Sequence, residues 1–171
     1  MAEEEKRIVC LYGEEKRGKT QTLKMLAEIL LGNDPSKADK WIHPNPVARE
    51  KFSKLANISE WPNDICVEMT VEGKRIGLNS DGDDPGTIRK RLEAMAENCG
   101  IIFCACRAGD HDYWGTLAAL KETAQAKNCT VVYTSPYTDD RPPSAAPTCL
   151  QKELNRKKAG HLKDFISWDN G

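Results

Sequence analysis

The sequence predicts an α/β fold in which helices cover both faces of a mostly parallel sheet, giving a three-layer sandwich. Short apolar runs that suit buried strands alternate along the chain with longer segments of helical periodicity. A hairpin signal at Glu72-Gly73 interrupts this alternation and predicts an antiparallel strand at an edge of the sheet. The 171 residues are the length of one domain, so residues 1–171 are expected to form a single unit.

The individual elements follow from local patterns. Apolar and β-branched runs predict strands at residues 6–12, 64–71, 75–78, 100–106 and 130–134, the last of them buried. Helical spacing of apolar residues predicts helices at residues 19–31, 47–55, 87–98, 113–127 and 150–166. Residues 33–45 and 139–147 are polar and interrupted by prolines, which predicts loops. The strands at 6–12, 100–106 and 130–134 are expected to run parallel.

Composition excludes several classes of protein. The 25 Lys and Arg residues are balanced by 26 Asp and Glu, which argues against a surface built as a whole for nucleic acid. No apolar stretch approaches the roughly 20 residues that span a bilayer. The acidic start, Glu3 to Glu5, is unlike a targeting segment, so a cytoplasmic protein is expected.

The seven cysteines favour the same compartment. Their number is odd and several lie in predicted strands, which is typical of reduced thiols packed in an interior. Cys104 and Cys106 share one face of a strand, but the neighbouring sequence offers no further ligands to complete a zinc site. Packing is therefore the expected role of this pair.

Residues 13–20, GEEKRGKT, match the pattern G-x-x-x-x-G-K-[ST] without deviation. The glycines let successive backbone N–H groups face a phosphate, and the following helix adds the positive end of its dipole. Lys19 is expected to reach the β- and γ-phosphates, and the Thr20 hydroxyl to bind Mg²⁺. The candidate nucleotide-binding residues are Gly13, Glu14, Glu15, Lys16, Arg17, Gly18, Lys19, Thr20 and Gln21.

A second group of candidates is the acidic loop that follows the hairpin. Asp81 comes at the carboxyl end of a predicted strand, where an α/β sheet presents its ligand-binding loops. A carboxylate there would hold the Mg²⁺ shell or orient a water, and Asp81 is the first choice, followed by Asp83 and Asp84. The alternative is that an aspartate of this loop caps the next helix.

The loop after the strand at 100–106 supplies further candidates. Arg107 is a candidate to neutralise a phosphoryl group during transfer, or else an ordinary surface arginine. His111 is a weaker candidate for proton transfer. The last helix carries basic residues that suit a solvated face, or else contact with nucleic acid or with a phosphorylated partner: Lys152, Arg156, Lys157, Lys158 and Lys163.

The motif and its strand–loop–helix setting resemble the P-loop NTPase superfamily. The order of phosphate loop, hairpin, acidic loop and the run IIFCACRAGD is similar to small ATP-binding proteins of bacteria and phages. The resemblance implies that Gly18, Lys19 and Thr20 contact phosphate and magnesium. The segment Asp83 to Gly86 also resembles the Asp-x-x-Gly of small GTPases, but no Asn-Lys-x-Asp motif follows, so ATP is favoured over GTP.

Two functions follow from these observations. The first is a small kinase or ATPase that uses Lys19, Asp81 and Arg107 with Mg²⁺, and passes the γ-phosphate to water or to a small acceptor. The second is a module that binds a protein partner according to its nucleotide state, through loops at residues 34–46 and 81–86, with little catalysis of its own. A membrane partner is not expected, and nothing in the charge balance indicates nucleic acid.

Overall fold

The computed structural model describes residues 5–13, 18–42, 45–81, 84–107, 115–137 and 149–166. Six strands form one sheet: β1 (Lys6–Gly13), β2 (Ala38–Trp41), β3 (Cys66–Val71), β4 (Lys74–Asn79), β5 (Ile101–Arg107) and β6 (Cys129–Thr134). The helices in these residues are α1 (Lys19–Leu31), α2 (Pro46–Ser53), α3 (Pro85–Ala96), α4 (Thr116–Ala126) and α5 (Cys149–Asp164).

The sheet has the strand order β2-β3-β4-β5-β1-β6. β1 pairs in parallel with both β5 and β6, and β4 pairs in parallel with β5. β3 runs antiparallel to both of its neighbours, β2 and β4. The predicted parallel arrangement of the three strands β1, β5 and β6 is therefore confirmed.

Helices cover both faces of the sheet, as a three-layer sandwich requires. Alternate residues of β1 enter two cores, because successive side chains of a strand point to opposite faces. Val9 and Leu11 pack with the apolar residues of α1 and α5. Ile8 and Cys10 pack with those of α3 and α4 on the other face. The predicted α/β sandwich is thus confirmed.

Three sequence predictions about the sheet edges were wrong. The segment 33–45 was expected to be loop throughout, but it contains a 3₁₀ turn, Pro35–Lys37, and the strand β2. β2 pairs with β3, so the antiparallel strand of the hairpin lies inside the sheet and not at its edge. β6 was predicted to be buried, yet it is an edge strand whose residues are half-buried or exposed.

The edge strand β2 is held by aromatic packing as well as by its pairing with β3. The Trp41 ring lies 4.6 Å from that of Trp61 and 4.7 Å from that of Phe52, centroid to centroid. Trp41 and Trp61 are buried, so these contacts exclude water from this end of the sheet. Aromatic pairs of this geometry add to the stabilisation that comes from burial alone.

The hairpin between β3 and β4 has the predicted turn. Glu72 and Gly73 both have positive φ angles, 52° and 79°, as a two-residue turn of type I′ requires. Within the described residues, no helix is long and apolar enough to cross a membrane.

Candidate functional site

The carboxyl ends of three parallel strands meet at one edge of the sheet. Gly13 at the end of β1 lies directly opposite Arg107 at the end of β5. Asn79, the last residue of β4, lies opposite Cys104 of β5. Register therefore brings the start of the predicted phosphate loop, the candidate Arg107 and the strand that precedes Asp81 to the same edge. Residues outside the described ranges include the candidates Glu14, Glu15, Lys16, Arg17, Asp83 and His111.

The helix that follows the loop begins in a way that suits an anion. Gly18 precedes α1 with a left-handed φ of 88°, and its carbonyl accepts a 2.8 Å hydrogen bond from the Thr22 N–H. No side chain caps this helix start and its first turn contains no acidic residue. The positive end of the helix dipole is therefore not offset by a carboxylate within the described residues.

Lys19 lies in the first turn of α1 and its side chain folds back to the loop. Its ammonium group donates a hydrogen bond to the carbonyl oxygen of Gly13. Thr20, the candidate metal ligand, follows it and is half-buried. Gln21 was predicted to contact the nucleotide, but its amide nitrogen lies 3.5 Å from the Asn63 side-chain oxygen. The Gln21 side chain thus reaches toward the segment that precedes β3.

Helix α5 packs next to Gly18, the last residue of the loop before α1. A Cβ atom placed on Gly18 would lie 2.4 Å from Asn155 Oδ1, so no larger residue fits there without displacing the Asn155 side chain. Gln151 Nε2 donates to Asn155 Oδ1 at 2.7 Å and to the Tyr137 carbonyl at 2.9 Å. Gln151 and Asn155 are both buried, so these bonds are made away from water.

Lys158 was grouped with the solvated basic face of α5, but it is buried. Its ammonium group donates to the Thr134 hydroxyl at the end of β6 and lies 4.9 Å from the centre of the Tyr137 ring. Burial lowers the pKa of Lys158, because an apolar environment disfavours the charged form. Four basic residues of the helix are exposed as expected: Lys152, Arg156, Lys157 and Lys163.

The Asp81 side chain is bound by an arginine on the next helix of the chain, α3. Arg91, on α3, places its Nη1 atom 3.1 Å from Asp81 Oδ2 and 3.3 Å from Asn79 Oδ1. Asn79 is buried and its own amide nitrogen donates to the Asp81 carbonyl at 3.2 Å. The three side chains form one hydrogen-bonded unit at the end of β4.

Two neighbours of Asp81 have different roles. Ser80 is buried and fixes the preceding segment, because its hydroxyl donates to the Asn63 carbonyl at 3.0 Å and accepts from the Ile65 N–H at 2.8 Å. Asp84 caps α3, since its Oδ2 accepts a 2.7 Å bond from the Thr87 N–H. A hydrogen bond with the Thr87 side chain, and after it this backbone bond, lower the pKa of Asp84. The capping alternative is confirmed for this aspartate.

Arg107 is anchored through its backbone. Its N–H donates a 3.0 Å hydrogen bond to the Thr116 hydroxyl, which is buried at the start of α4. This bond ties the end of β5 to the following helix and fixes the position of Arg107 beside Gly13. The residues between them, 108–114, lie outside the described ranges.

The residues present fit magnesium bound together with a phosphate. Among the described residues, no group of three or more His, Cys, Asp or Glu side chains could hold a metal ion by itself. Magnesium takes few protein oxygens, one hydroxyl or carboxylate with several waters and phosphate oxygens completing its shell. Thr20 and Asp81 supply oxygens of this kind. The described chain therefore suits a metal that arrives with a triphosphate.

The buried thiols lie in the core beneath this edge. Cys10, Cys104 and Cys106 have no exposed surface, and their partners include the Asn79 amide, which donates to Cys104 Sγ at 3.5 Å. Burial raises the pKa of Cys66, and it raises the pKa of Cys99 to about 12. The Cys66 and Cys99 thiols therefore stay protonated, and protonated thiols are poor nucleophiles that act as small apolar residues.

Two features of the site were missed in the sequence, although each leaves a signal there. Arg91 interrupts the apolar stripe formed by Ile88, Leu92 and Met95, which marks it as a partly buried charge that needs a partner. Gln151 and Asn155 are spaced i, i+4 and continue along α5 into buried Ala159 and Leu162. Polar residues on a buried helix face indicate a hydrogen-bonded contact with a neighbouring element.

Comparison with known proteins gives little further information. No protein-family model matches the chain, and no curated protein sequence matches it. Among solved structures, the crystal structure of APE1195 is similar at 12% sequence identity and a TM-score of 0.37, over 99% of this chain and 75% of that one. A likeness of this degree carries no argument about function.

Proposed function

We propose that the chain binds a nucleoside triphosphate, ATP in preference to GTP, and transfers or hydrolyses its γ-phosphate with Mg²⁺. The observation that carries the proposal is the unit formed by β1, Gly18 and α1. It combines a left-handed glycine, an uncapped helix start and a lysine whose ammonium group lies at the Gly13 carbonyl. Each of these favours an anion at residues 13–20.

The roles of the chain's own residues follow from their chemistry. Lys19 and the N–H groups at the start of α1 bind and orient the phosphates, and Thr20 and Asp81 hold Mg²⁺ by their oxygens. The metal supplies positive charge that neutralises the phosphate oxygens. Arg107, fixed beside Gly13, adds a second positive charge at the same edge of the sheet. An acceptor or a water would be oriented over this edge.

One observation favours the alternative, a nucleotide-dependent protein-binding module with slow turnover. The Asp81 carboxylate is ion-paired with Arg91, at 3.1 Å. A carboxylate held in this way is less available to orient a water. Under this alternative, a partner that reorganises residues 34–46 or 81–86 would accelerate hydrolysis.

The central claim is tested by measuring ATP binding to the wild type and to Lys19→Ala. Losing a charged hydrogen bond to phosphate costs about 1.5–3 kcal/mol, so we expect affinity to fall by roughly 10-fold or more. Lys37→Ala is the matched control, because Lys37 is an exposed lysine in the 3₁₀ turn and should bind ATP as the wild type does. Undiminished binding by Lys19→Ala would exclude the phosphate site.

The reaction is tested with labelled ATP or GTP, Mg²⁺ and a panel of nucleosides, nucleotides and 5′-hydroxyl oligonucleotides. Label on an acceptor supports a kinase, and free phosphate alone supports an ATPase. Hydrolysis that appears only after a protein partner is added supports the binding module. Equal use of GTP and ATP would contradict the preference for ATP.

A further inference from the structure

The Asp81 carboxylate is held by a partner that is largely shielded from solvent. Only 16% of the Arg91 side chain and 23% of the Asp81 side chain are exposed. Ion pairs that are partly removed from water are screened less by salt than exposed pairs are. The exposed pair of Arg89 and Glu122, on the same helix, has 44% and 59% of its side chains exposed and provides a comparison.

The guanidinium group is itself fixed in orientation. Arg91 Nη1 contacts both Asp81 Oδ2 and the Asn79 side-chain oxygen. Asn79 is buried at the end of β4 and also donates to the Asp81 carbonyl, so Asp81 is attached to this strand end directly through its carbonyl and through Arg91 by its carboxylate. A planar guanidinium can bridge two acceptors in this way, whereas a lysine ammonium is a point charge on a flexible stem.

Arg91 contacts one oxygen of the Asp81 carboxylate and leaves the second oxygen available to a ligand. Arg91 binds Oδ2, and within the described residues Oδ1 has no hydrogen-bond donor. An ionised carboxylate has about four lone-pair sites, so an arginine and a metal can bind it together. Side chains that hydrogen-bond a metal ligand orient it, and their loss typically costs about 10–100-fold in metal affinity.

Stability alone does not explain an arginine at this position. Arg91 lies on the apolar stripe of α3, and replacing a buried ion pair by apolar residues is often neutral or stabilising. We propose that Arg91 is a positioning residue that orients the Asp81 carboxylate for Mg²⁺. This inference rests on the proposed function and adds to it a residue that acts only through Asp81.

The test is the Mg²⁺ concentration that gives half of the full affinity for a fluorescent ATP analogue. We expect Arg91→Gln to raise this concentration about 10-fold or more, and Asp81→Asn to raise it similarly. The double variant Asp81→Asn/Arg91→Gln should need no more Mg²⁺ than Asp81→Asn alone, because Arg91 acts through that carboxylate. Arg91→Lys should fall between Arg91→Gln and the wild type.

The control is Arg89→Gln, which removes an arginine from the same helix and should leave the Mg²⁺ requirement unchanged. If Arg91→Gln lowers the thermal midpoint but requires no more Mg²⁺ than Arg89→Gln, its role is structural and the inference is wrong. A reduced Mg²⁺ requirement would also overturn it, because Arg91 would then compete with the metal. Should Arg91→Gln not fold, the comparison of Arg91→Lys with Arg89→Lys decides in the same way.

The outcomes separate this inference from the proposed function. ATP binding that survives Lys19→Ala overturns both. Binding that depends on Lys19, with a Mg²⁺ requirement raised by Asp81→Asn and unaffected by either Arg91 variant, overturns only the role of Arg91.

Discussion

Gly18 is the residue at which the loop, helix α1 and helix α5 meet. Its φ of 88° is a conformation in which residues with a Cβ are strained, and a Cβ placed there would overlap the Asn155 side chain of α5. The two constraints are independent, since one belongs to the backbone and the other to packing between elements. They can therefore be separated by substitution.

Gly18→Ala is expected to destabilise the protein more than Gly32→Ala does. Gly32 also has a positive φ, 61°, but a Cβ there meets nothing within 4 Å, so that variant reports the backbone strain alone. The overlap with Asn155 should add about 1–3 kcal/mol to the loss of unfolding free energy for Gly18→Ala, as measured by urea denaturation. Removing the amide in Gly18→Ala/Asn155→Ala should recover part of that difference. Equal losses of unfolding free energy for Gly18→Ala and Gly32→Ala would show that the Asn155 side chain moves aside without cost.

At the residue scale, the sequence predicts local conformation better than contacts between distant residues. Gly18 and Lys19 belong to one contiguous motif, so the helix start at Lys19 could be predicted from spacing, and their binding roles stay predictions. Arg91 and Asp81 are ten residues apart on different elements, and only the position of α3 on the sheet brings them to 3.1 Å. Lys158 was misjudged because the basic residues around it suggest a solvated face, although it shares the buried side of α5 with Asn155 and Leu162.

Helix α3 gives the two aspartates of the acidic loop different roles. Asp84 accepts the Thr87 N–H and begins the helix, while Asp81, three residues earlier, is bound by Arg91 two turns further along the same helix. α3 therefore fixes both aspartates, the first through its N-terminus and the second through a side chain. Their substitutions should have different consequences.

Asp84→Ala is expected to lower the thermal midpoint by a few degrees and to leave ATP affinity unchanged. Asp84→Ser should retain most of the stability, because serine also accepts a bond from the helix N–H groups. The pKa of Asp84 is lower in the folded state than in the unfolded state, so its contribution is present above the unfolded pKa and is lost as pH falls through the folded pKa. The measurement is the free energy of unfolding of the wild type and of both variants at neutral and at acid pH. Weaker ATP binding by Asp84→Ala would instead return this residue to the metal site.

At the element scale, the strength of the local pattern determined which predictions held. The strand–loop–helix unit has a buried apolar run, a glycine-bounded loop and a periodic helix, and α1 occupies the predicted residues, Lys19–Leu31. β2 has four residues, ADKW, with two of them exposed, and no alternation marks it as a strand. Its pairing with β3 and the packing of Trp41 on Trp61 stabilise it, and both contacts are between distant parts of the sequence.

At the scale of the whole molecule, the candidate site contacts some helices and not others. α1 and α5 pack on each other and on one face of the sheet, and α5 contacts the loop through Gln151 and Asn155. α2 contributes no buried residue to the core. A ligand at residues 13–20 should therefore stabilise α1 and α5 together, whereas α2 should open independently of it.

Hydrogen exchange with and without ATP and Mg²⁺ tests which helices are stabilised by the ligand. At a ligand concentration of 100 Kd, binding stabilises the folded state by about 2.7 kcal/mol, so amides that exchange only through global unfolding should slow by roughly 100-fold. We expect this slowing in β1, α1 and α5, because all three adjoin the loop and lie in one core, and little change in α2. At the same ATP concentration, a roughly 10-fold lower affinity of Lys19→Ala should reduce this slowing by about 10-fold in each of the three elements. Protection of α1 without α5 would mean that the contact of Gly18 with Asn155 does not transmit binding, and the two helices would then belong to separate cooperative units.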